Sequence, residues 1–406
     1  MLLDRYPLLS SDIIERGTGQ FYFEPKHKRW TGDDILLDVN EVTTLADALE
    51  AETVSLNELS FDRDPMWRVV RYTAGHGGKA YLVIWSDHTI TDGRGLTRMV
   101  SALLDETDAS LPTDPPAIAR MDDNPDFQEP TTKPKAIQLN DYDPTIPAWP
   151  RGSIKLNPMT VPSNTSLSSF SAARIAKLKE VGRSNGVQTL HAILNAVWLV
   201  ALWSTFRQGD SPFAIETGSP RSERPSKPDG KQAWSTANYV SLFSCIATMS
   251  PSTQFWNLAS DLSNALRSEE GITQGRQKIG ALAKIPNDPV TLPNGVTVSG
   301  WEGYLINSAE VDVAYKEGLQ VSNLGFFDLP PDAEDIVWKM NPSPFGPAVT
   351  VQLIGHRNGL GVSTAWREGS VVSTGEMDQV QSVVDSLIQR LIGGGSRDWC
   401  LKDLVK

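Results

Sequence analysis

The residues with chemistry to offer stand at His88, Asp92 and Gly93, in the order His-x-x-x-Asp-Gly. Imidazole is the side chain whose charge changes near neutral pH, which suits it to taking up and returning protons. Tyr81, Leu82, Val83, Ile84 and Trp85 form an apolar, aromatic and β-branched run that predicts a buried strand ending just before His88. Thr91, Asp92 and Gly93 are turn and helix-entry residues, and Leu96, Met99, Val100, Leu103 and Leu104 recur at helical spacing after them. Residues 79–104 thus predict strand, tight turn and helix. That layout fixes the backbone behind His88 in a core and lets the ring project into a cleft. A second reading makes His88 a turn residue bonded to backbone and Asp92 a helix cap.

The rest of the composition narrows the function classes. A chain of 406 residues holds the mass of about two or three domains and can bury about three quarters of its unfolded surface. With 40% hydrophobic and 21% charged residues, it reads as a soluble globular protein. The formal net charge is −12 and no basic tract occurs, which argues against a nucleic-acid partner. Cys245 and Cys400 have neither metal nor redox spacing and fit a reducing compartment, and no metal site is expected. The N-terminal stretch meets Asp4 early and lacks the apolar core of a secretory signal. The longest apolar run, residues 192–203, is too short to span a bilayer, contains Asn195, and predicts a buried helix. A cytoplasmic location follows by default.

Along the chain, a Tyr6-Pro7 break precedes a short strand, and residues 66–72 predict another. The glycines between Ala74 and Lys79 predict a hairpin turn, with His76 in it and solvated. Residues 107–165 are rich in Pro, Asp, Asn and Thr and read as a long surface connection. Residues 169–185 form an amphipathic helix with Ala172, Ile175, Leu178 and Val181 inward, stopped at Gly186. A second helix starts at Thr189, with His191 packed or capped in its first turn. Residues 211–217 and 242–249 predict strands on either side of a Pro- and Gly-bearing loop, and residues 254–268 a further helix. Strands 348–355 and 360–366 alternate apolar and polar residues around Asn358-Gly359, a hairpin turn signal. Residues 380–392 close the chain with an amphipathic helix. Strands and helices mingle without regular βαβ alternation, which predicts an α+β fold class.

Five stretches follow one another along the chain: Arg5-Tyr6-Pro7-Leu8-Leu9, His-x-x-x-Asp-Gly, Gly218-x-Pro220-x-x-x-Arg224-Pro225, Asn238-Tyr239-Val240, and Ser322-Asn323-Leu324-Gly325. In that order they resemble the chloramphenicol-acetyltransferase-like acyltransferase superfamily. The resemblance covers most of the chain and is closest to stand-alone, fungal-type alcohol O-acetyltransferases and condensation domains. It implies two α+β lobes with a tunnel between them, residues 1–155 carrying His88 and residues 156–406 carrying the arginine loop and the Ser-Asn-Leu-Gly segment. It implies that His88 is the general base, removing the acceptor hydroxyl proton as oxygen attacks a thioester, with no covalent acyl-enzyme. It also implies that Asp92 points away from the tunnel and pairs with Arg224, or as second choice Arg221, while Gly93 lets the backbone turn close to the histidine. Ser322 and Asn323 are candidate oxyanion donors, with a turn or strand-end role as the equal alternative.

Where peptide-forming relatives usually carry two adjacent histidines, Asp87 takes the first position, which favours ester formation by a stand-alone enzyme. On a strand end, Asp87 is expected to point to the side opposite His88. Against the family's pattern the chain is expected to be N-terminally short, its first residues matching the end of the family's first helix, through either a misassigned start or a true truncation. The Asp-Phe-Gly-Trp signature of plant members does not occur, and Phe326-Phe327-Asp328 is only a loose counterpart, which argues against a plant-type member. The resemblance implies no bound cofactor, acyl-CoA (acetyl-CoA above all) as co-substrate, and a small-molecule alcohol of secondary metabolism as acceptor; family members are often monomers, and the oligomeric state stays open. Two other readings stay open: a condensation enzyme taking its acyl group from a carrier protein, and a non-catalytic relative. Trp198, Trp203, Trp234 and Trp301 either line an apolar acceptor site or pack the core.

Overall fold

Along Trp67-Arg68-Val69-Val70-Arg71-Tyr72 the side chains alternate between two sides, and in the computed structural model each side meets a separate apolar cluster. Trp67 and Val69 pack with Tyr6, Leu8, Leu9, Ile35, Ile90 and Met99. Val70 and Tyr72 pack with Ala48 and Val83. A strand buried on both faces needs apolar residues at consecutive positions, which is why this run lacks a clean polar face. The structure describes residues 3, 6–15, 21–25, 30–56, 64–74, 79–104, 125–127, 130, 134–139, 142–224, 236–286, 288–311, 315, 317–394 and 399–405. Arg5, His76, Pro225, Trp234 and most of the stretch 107–141 lie outside them.

The chain divides into two compact units. The first comprises Met1–Met121 and Ser222–Val240. A 3₁₀ turn at Pro7–Ser10 follows the Tyr6-Pro7 break and feeds an antiparallel pair, β1 (Ser11–Glu15) and β2 (Phe21–Pro25). Next come the short helix α1 (Gly32–Ile35), strand β3 (Leu36–Val42), helix α2 (Leu45–Leu56), strands β4 (Trp67–Ala74) and β5 (Ala80–Ser86), and helix α3 (Gly93–Leu104). The strand order is β3-β4-β5, with β3 parallel and β5 antiparallel to β4. On the α2 side, Arg68 pairs with Glu52 at 3.1 Å, and Tyr72 donates its hydroxyl to Glu52 at 2.7 Å, so this buried carboxylate is fully engaged.

The second unit comprises Asp122–Arg221 and Ser241–Lys406. Its elements are β6 (Ile137–Gln138), β7 (Ala148–Trp149), β8 (Ser163–Ser171), α4 (Ala172–Ser184), α5 (Leu190–Phe206), β9 (Phe213–Ser222) and β10 (Val240–Met249). They continue with α6 (Phe255–Arg267), α7 (Glu269–Gly280), β11 (Val290–Thr291), β12 (Thr297–Val298), α8 (Gly300–Val311) and β13 (Glu317–Phe326). β14 (Pro347–His356), β15 (Gly359–Arg367), α9 (Thr374–Ile392) and α10 (Leu401–Leu404) complete it. A mixed sheet runs β6-β10-β9-β13-β14-β15-β8, with β7 added alongside β9. Every residue of α5 from Ala192 to Trp203 is buried, in a core shared with the sheet, α6 and α9. Trp198 and Trp203 are therefore core residues, while Trp301 is 40% exposed. Among the described residues no helix is long and apolar enough to cross a membrane.

The α+β class follows directly from these sheets and helices. The units differ from the expected boundary at 155/156. Residues 134–155 join the second unit because β6 pairs with β10 and β7 with β9. The segment between β9 and β10 joins the first unit through the bonds described below. The β14–β15 turn also shifts by one residue: Gly359 pairs with His356, so Arg357-Asn358 make the turn. At Gly359 φ is +157°, and a Cβ there would sit 2.1 Å from the Phe170 carbonyl oxygen of neighbouring β8. That close approach of β8 places the glycine in the ladder rather than in the turn.

Candidate active site

His88 begins where β5 gives out. The Asp87 N–H still donates across to Met66 O at 2.8 Å, and then the chain turns, with Ile90 N–H donating to Asp87 O at 3.2 Å. Asp87 Oδ1 accepts from Thr89 N at 2.8 Å and from the Thr89 hydroxyl, an Asx-type turn that occupies the carboxylate and directs it into the turn. Ile90 is wholly buried in the cluster with Met99 and Ala102 of α3, and Thr91 is also buried. Between these anchors His88 and Thr89 are exposed. The local sequence thus holds the backbone on both sides of an open imidazole.

Asp92 faces the opposite environment, its side chain only 1% exposed. Its Oδ1 accepts the Gly95 N–H at 2.8 Å, which caps α3, and its backbone carbonyl accepts from Leu96 N at 2.8 Å. Its Oδ2 accepts from Arg224 Nη1 at 2.6 Å and from Tyr239 N at 2.8 Å. Helix cap and ion-pair partner are therefore one and the same residue. Arg224 gives its second terminal nitrogen to Ala237 O at 2.6 Å, and its guanidinium lies 5.2 Å from the centre of the Tyr239 ring. Ala237 and Tyr239 are members of the apolar cluster that holds Ile90 and Met99. The segment between β9 and β10 is thus tied to the histidine turn by charge, backbone hydrogen bonds and apolar packing together.

Sequence reasoning missed two residues here. Gly93 is the first residue of α3 and is not among the glycines with positive φ, so the turn does not depend on it. The glycine that does matter is Gly95, where a Cβ would lie 2.2 Å from both Thr236 O and Thr91 Oγ1. Asn238 is the other. Its Nδ2 stands 3.0 Å from His88 Nδ1 and 3.1 Å from His88 O, holding both ring and backbone. The Asn-Tyr-Val motif marked the place, but nothing local in it signals a partner 150 positions away.

The structure brings His88, Asp92, Gly93 and Arg224 together in the first unit. Arg221 stays on β9 in the second unit and takes no part in the pair. Ser322 and Asn323 lie on β13, also in the second unit. Asn323 Oδ1 accepts from Gly325 N at 2.8 Å, at a register shift in the β13–β14 ladder and beside a Gly325 φ of +81°. Its carboxamide therefore serves the strand-end turn. His191, on α5, bonds Ser219 Oγ through Nε2 at 2.9 Å, and burial pushes its pKa down to about 4, so it is a neutral packing residue. Among the described residues no group of His, Cys, Asp and Glu could hold a metal ion.

Comparison with solved structures identifies this architecture. The chain aligns over 98% of its length with 88% of the condensation domain of the monacolin K polyketide synthase MokA, with a TM-score of 0.61 and 11% identity. The chain has the condensation-domain fold. It also matches the first condensation domain of the CDA synthetase (TM-score 0.58, 12% identity, 99% of this chain and 87% of that one). Polyketide synthase associated protein 5 from Mycobacterium tuberculosis matches with a TM-score of 0.57 and 16% identity over 96% of this chain and 89% of that one. No protein-family model and no curated protein sequence matches the chain.

Proposed function

We propose that this protein is an acyltransferase that moves an acyl group, acetyl above all, from acyl-CoA to a hydroxyl of a small-molecule acceptor. The observation that carries the reading is the contrast at the two ends of His-x-x-x-Asp-Gly: an exposed His88 on a turn fixed by a buried, fully bonded Asp92–Arg224 pair. His88 is the general base. As the acceptor oxygen bonds to the thioester carbonyl carbon, its proton passes to the imidazole. The carbon–sulfur bond then breaks, and the proton leaves the imidazole for the thiolate. Ester and free thiol are the products, and the imidazole ends as it began. Since Nδ1 faces Asn238, Nε2 is the nitrogen left for this work. Asp92 and Arg224 position the turn and take no part in the proton transfer.

A second reading takes the acyl group from a carrier protein. The fold matches to condensation domains of a polyketide synthase and of a synthetase favour it. A thermal-shift titration with acetyl-CoA, longer acyl-CoAs and free CoA separates the two without knowledge of the acceptor. A ligand at about 100 times its dissociation constant adds roughly 2.7 kcal/mol to stability. A saturable rise in Tm supports the CoA donor, and no shift with any acyl-CoA overturns it in favour of carrier delivery.

A further inference from the structure

The two ring nitrogens of His88 keep different company, and Asn238 decides the difference. A carboxamide –NH₂ has two hydrogens and accepts nothing. Asn238 Nδ2 lies within hydrogen-bond distance of two acceptors, His88 O at 3.1 Å and His88 Nδ1 at 3.0 Å, so each takes one hydrogen. An Nδ1 that accepts carries a lone pair, and the neutral ring then keeps its proton on Nε2. Asn238 Oδ1, meanwhile, is buried and meets no donor among the described residues. A half-turn about the Cβ–Cγ bond exchanges this oxygen with Nδ2 at almost no change in shape. It would place Oδ1 against Nδ1, where only an Nδ1–H can satisfy it. The proton would then sit on Nδ1 and the lone pair on Nε2.

We infer that Asn238 is a positioning residue that sets the tautomer of His88. The resting protein holds the Nε2–H form, and the half-turned carboxamide selects the Nδ1–H form that a base at Nε2 requires. The interconversion conserves charge: the exposed ring loses the Nε2 proton to water and gains one at Nδ1. Two donated bonds hold the resting orientation. The half-turn gives up the bond to His88 O and sets Oδ1 against that carbonyl, so the Nδ1–H form is the costlier of the two. The catalytic meaning of the tautomer rests on the function proposed above, but the tautomer itself does not.

The test is ¹⁵N NMR of the imidazole nitrogens at a pH well above the ordinary histidine range. It is made on the wild type, Asn238→Ala and Asn238→Asp, with the His88 signals identified by their loss in His88→Ala. The wild type is expected to show an unprotonated Nδ1 and a protonated Nε2. Asn238→Asp, whose carboxylate can only accept, is expected to reverse the pattern, and Asn238→Ala to give the mixture of an unconstrained ring. The same pattern in all three proteins, or a protonated Nδ1 in the wild type, overturns the inference. Should a variant fail to fold, the wild-type spectrum still decides. Where acyl transfer is measurable, Asn238→Asp raises kcat with KM unchanged. The expected spectra in a protein with no transferase activity would overturn the proposed function and leave the inference standing.

Discussion

Asp92 and Arg224 are 132 positions apart in the chain and 2.6 Å apart at Oδ2 and Nη1, with side chains 1% and 11% exposed. Between them they receive or give bonds to Gly95, Tyr239 and Ala237, so the pair closes a network with no charge left over. A buried pair of this kind is costly to break from one side, because the remaining charge keeps its desolvation and loses its compensation. Arg224→Ala is expected to destabilise the protein by about 3–5 kcal/mol. Urea unfolding of the two single variants and the double variant checks this. A double-mutant cycle with no coupling between Asp92→Asn and Arg224→Ala would contradict it.

Gly95 sets a second, purely steric condition on the same network. With Thr236 O and Thr91 Oγ1 both 2.2 Å from where a Cβ would stand, Gly95→Ala forces the segment between β9 and β10 away from α3. The expected loss is about 1–3 kcal/mol from overpacking, read as a lower urea midpoint, against a slight gain if helix propensity alone decided.

In the second unit, Glu317 of β13 is buried against Lys278 of α7, 3.3 Å from its ammonium, which also contacts Glu216 at 3.4 Å and the Ser244 hydroxyl. Burial raises the Glu317 pKa to about 7, more than the nearby lysine lowers it. The folded protein then binds a proton that the unfolded chain, with glutamate near its ordinary value, has already released. Stability from this group is therefore greatest below about pH 4.5, falls as pH rises from there towards 7, and is level above that. Glu317→Gln is expected to flatten this part of the stability–pH curve, compared with wild type by urea midpoints across the window. Parallel curves would contradict the assignment.

Cys245 is wholly buried on β10, and burial together with the nearby Glu216 and Glu317 carboxylates pushes its thiol pKa upward. In a Cys400→Ser variant, a thiol reagent is expected to leave the native protein unlabelled and to label one site after denaturation. Rapid labelling of native protein would contradict this burial.

How much of this was legible from sequence depends on whether the determining partner is local. The strand–turn–helix around His88 is encoded in contiguous residues, and so is α5, whose apolar run from Ala192 to Trp203 has no polar face except Asn195. β8 was not legible. Ser163–Ser171 is largely serine, with Leu167 and Phe170 its only apolar side chains, and it is a strand because nine successive residues pair with β15. The Asn358-Gly359 signal fell one residue out because the Phe170 carbonyl, not the turn, requires the glycine. Gly93 and Gly95 look alike in a motif, and only the approach of Thr236 distinguishes them. Asn238 belongs to the same class: its amide is given meaning by a histidine on a distant strand end.

His88 carries the proposed chemistry. Purified wild type and His88→Ala should be compared for acceptor-dependent loss of acyl-CoA thioester, followed by mass spectrometry across a panel of small alcohols, with unfolding midpoints confirming that both are folded. The expected result is ester formation by the wild type and a fall in kcat on the order of 10²–10⁴-fold in the variant. Equal ester formation by the two proteins would contradict the assignment of His88 as the base.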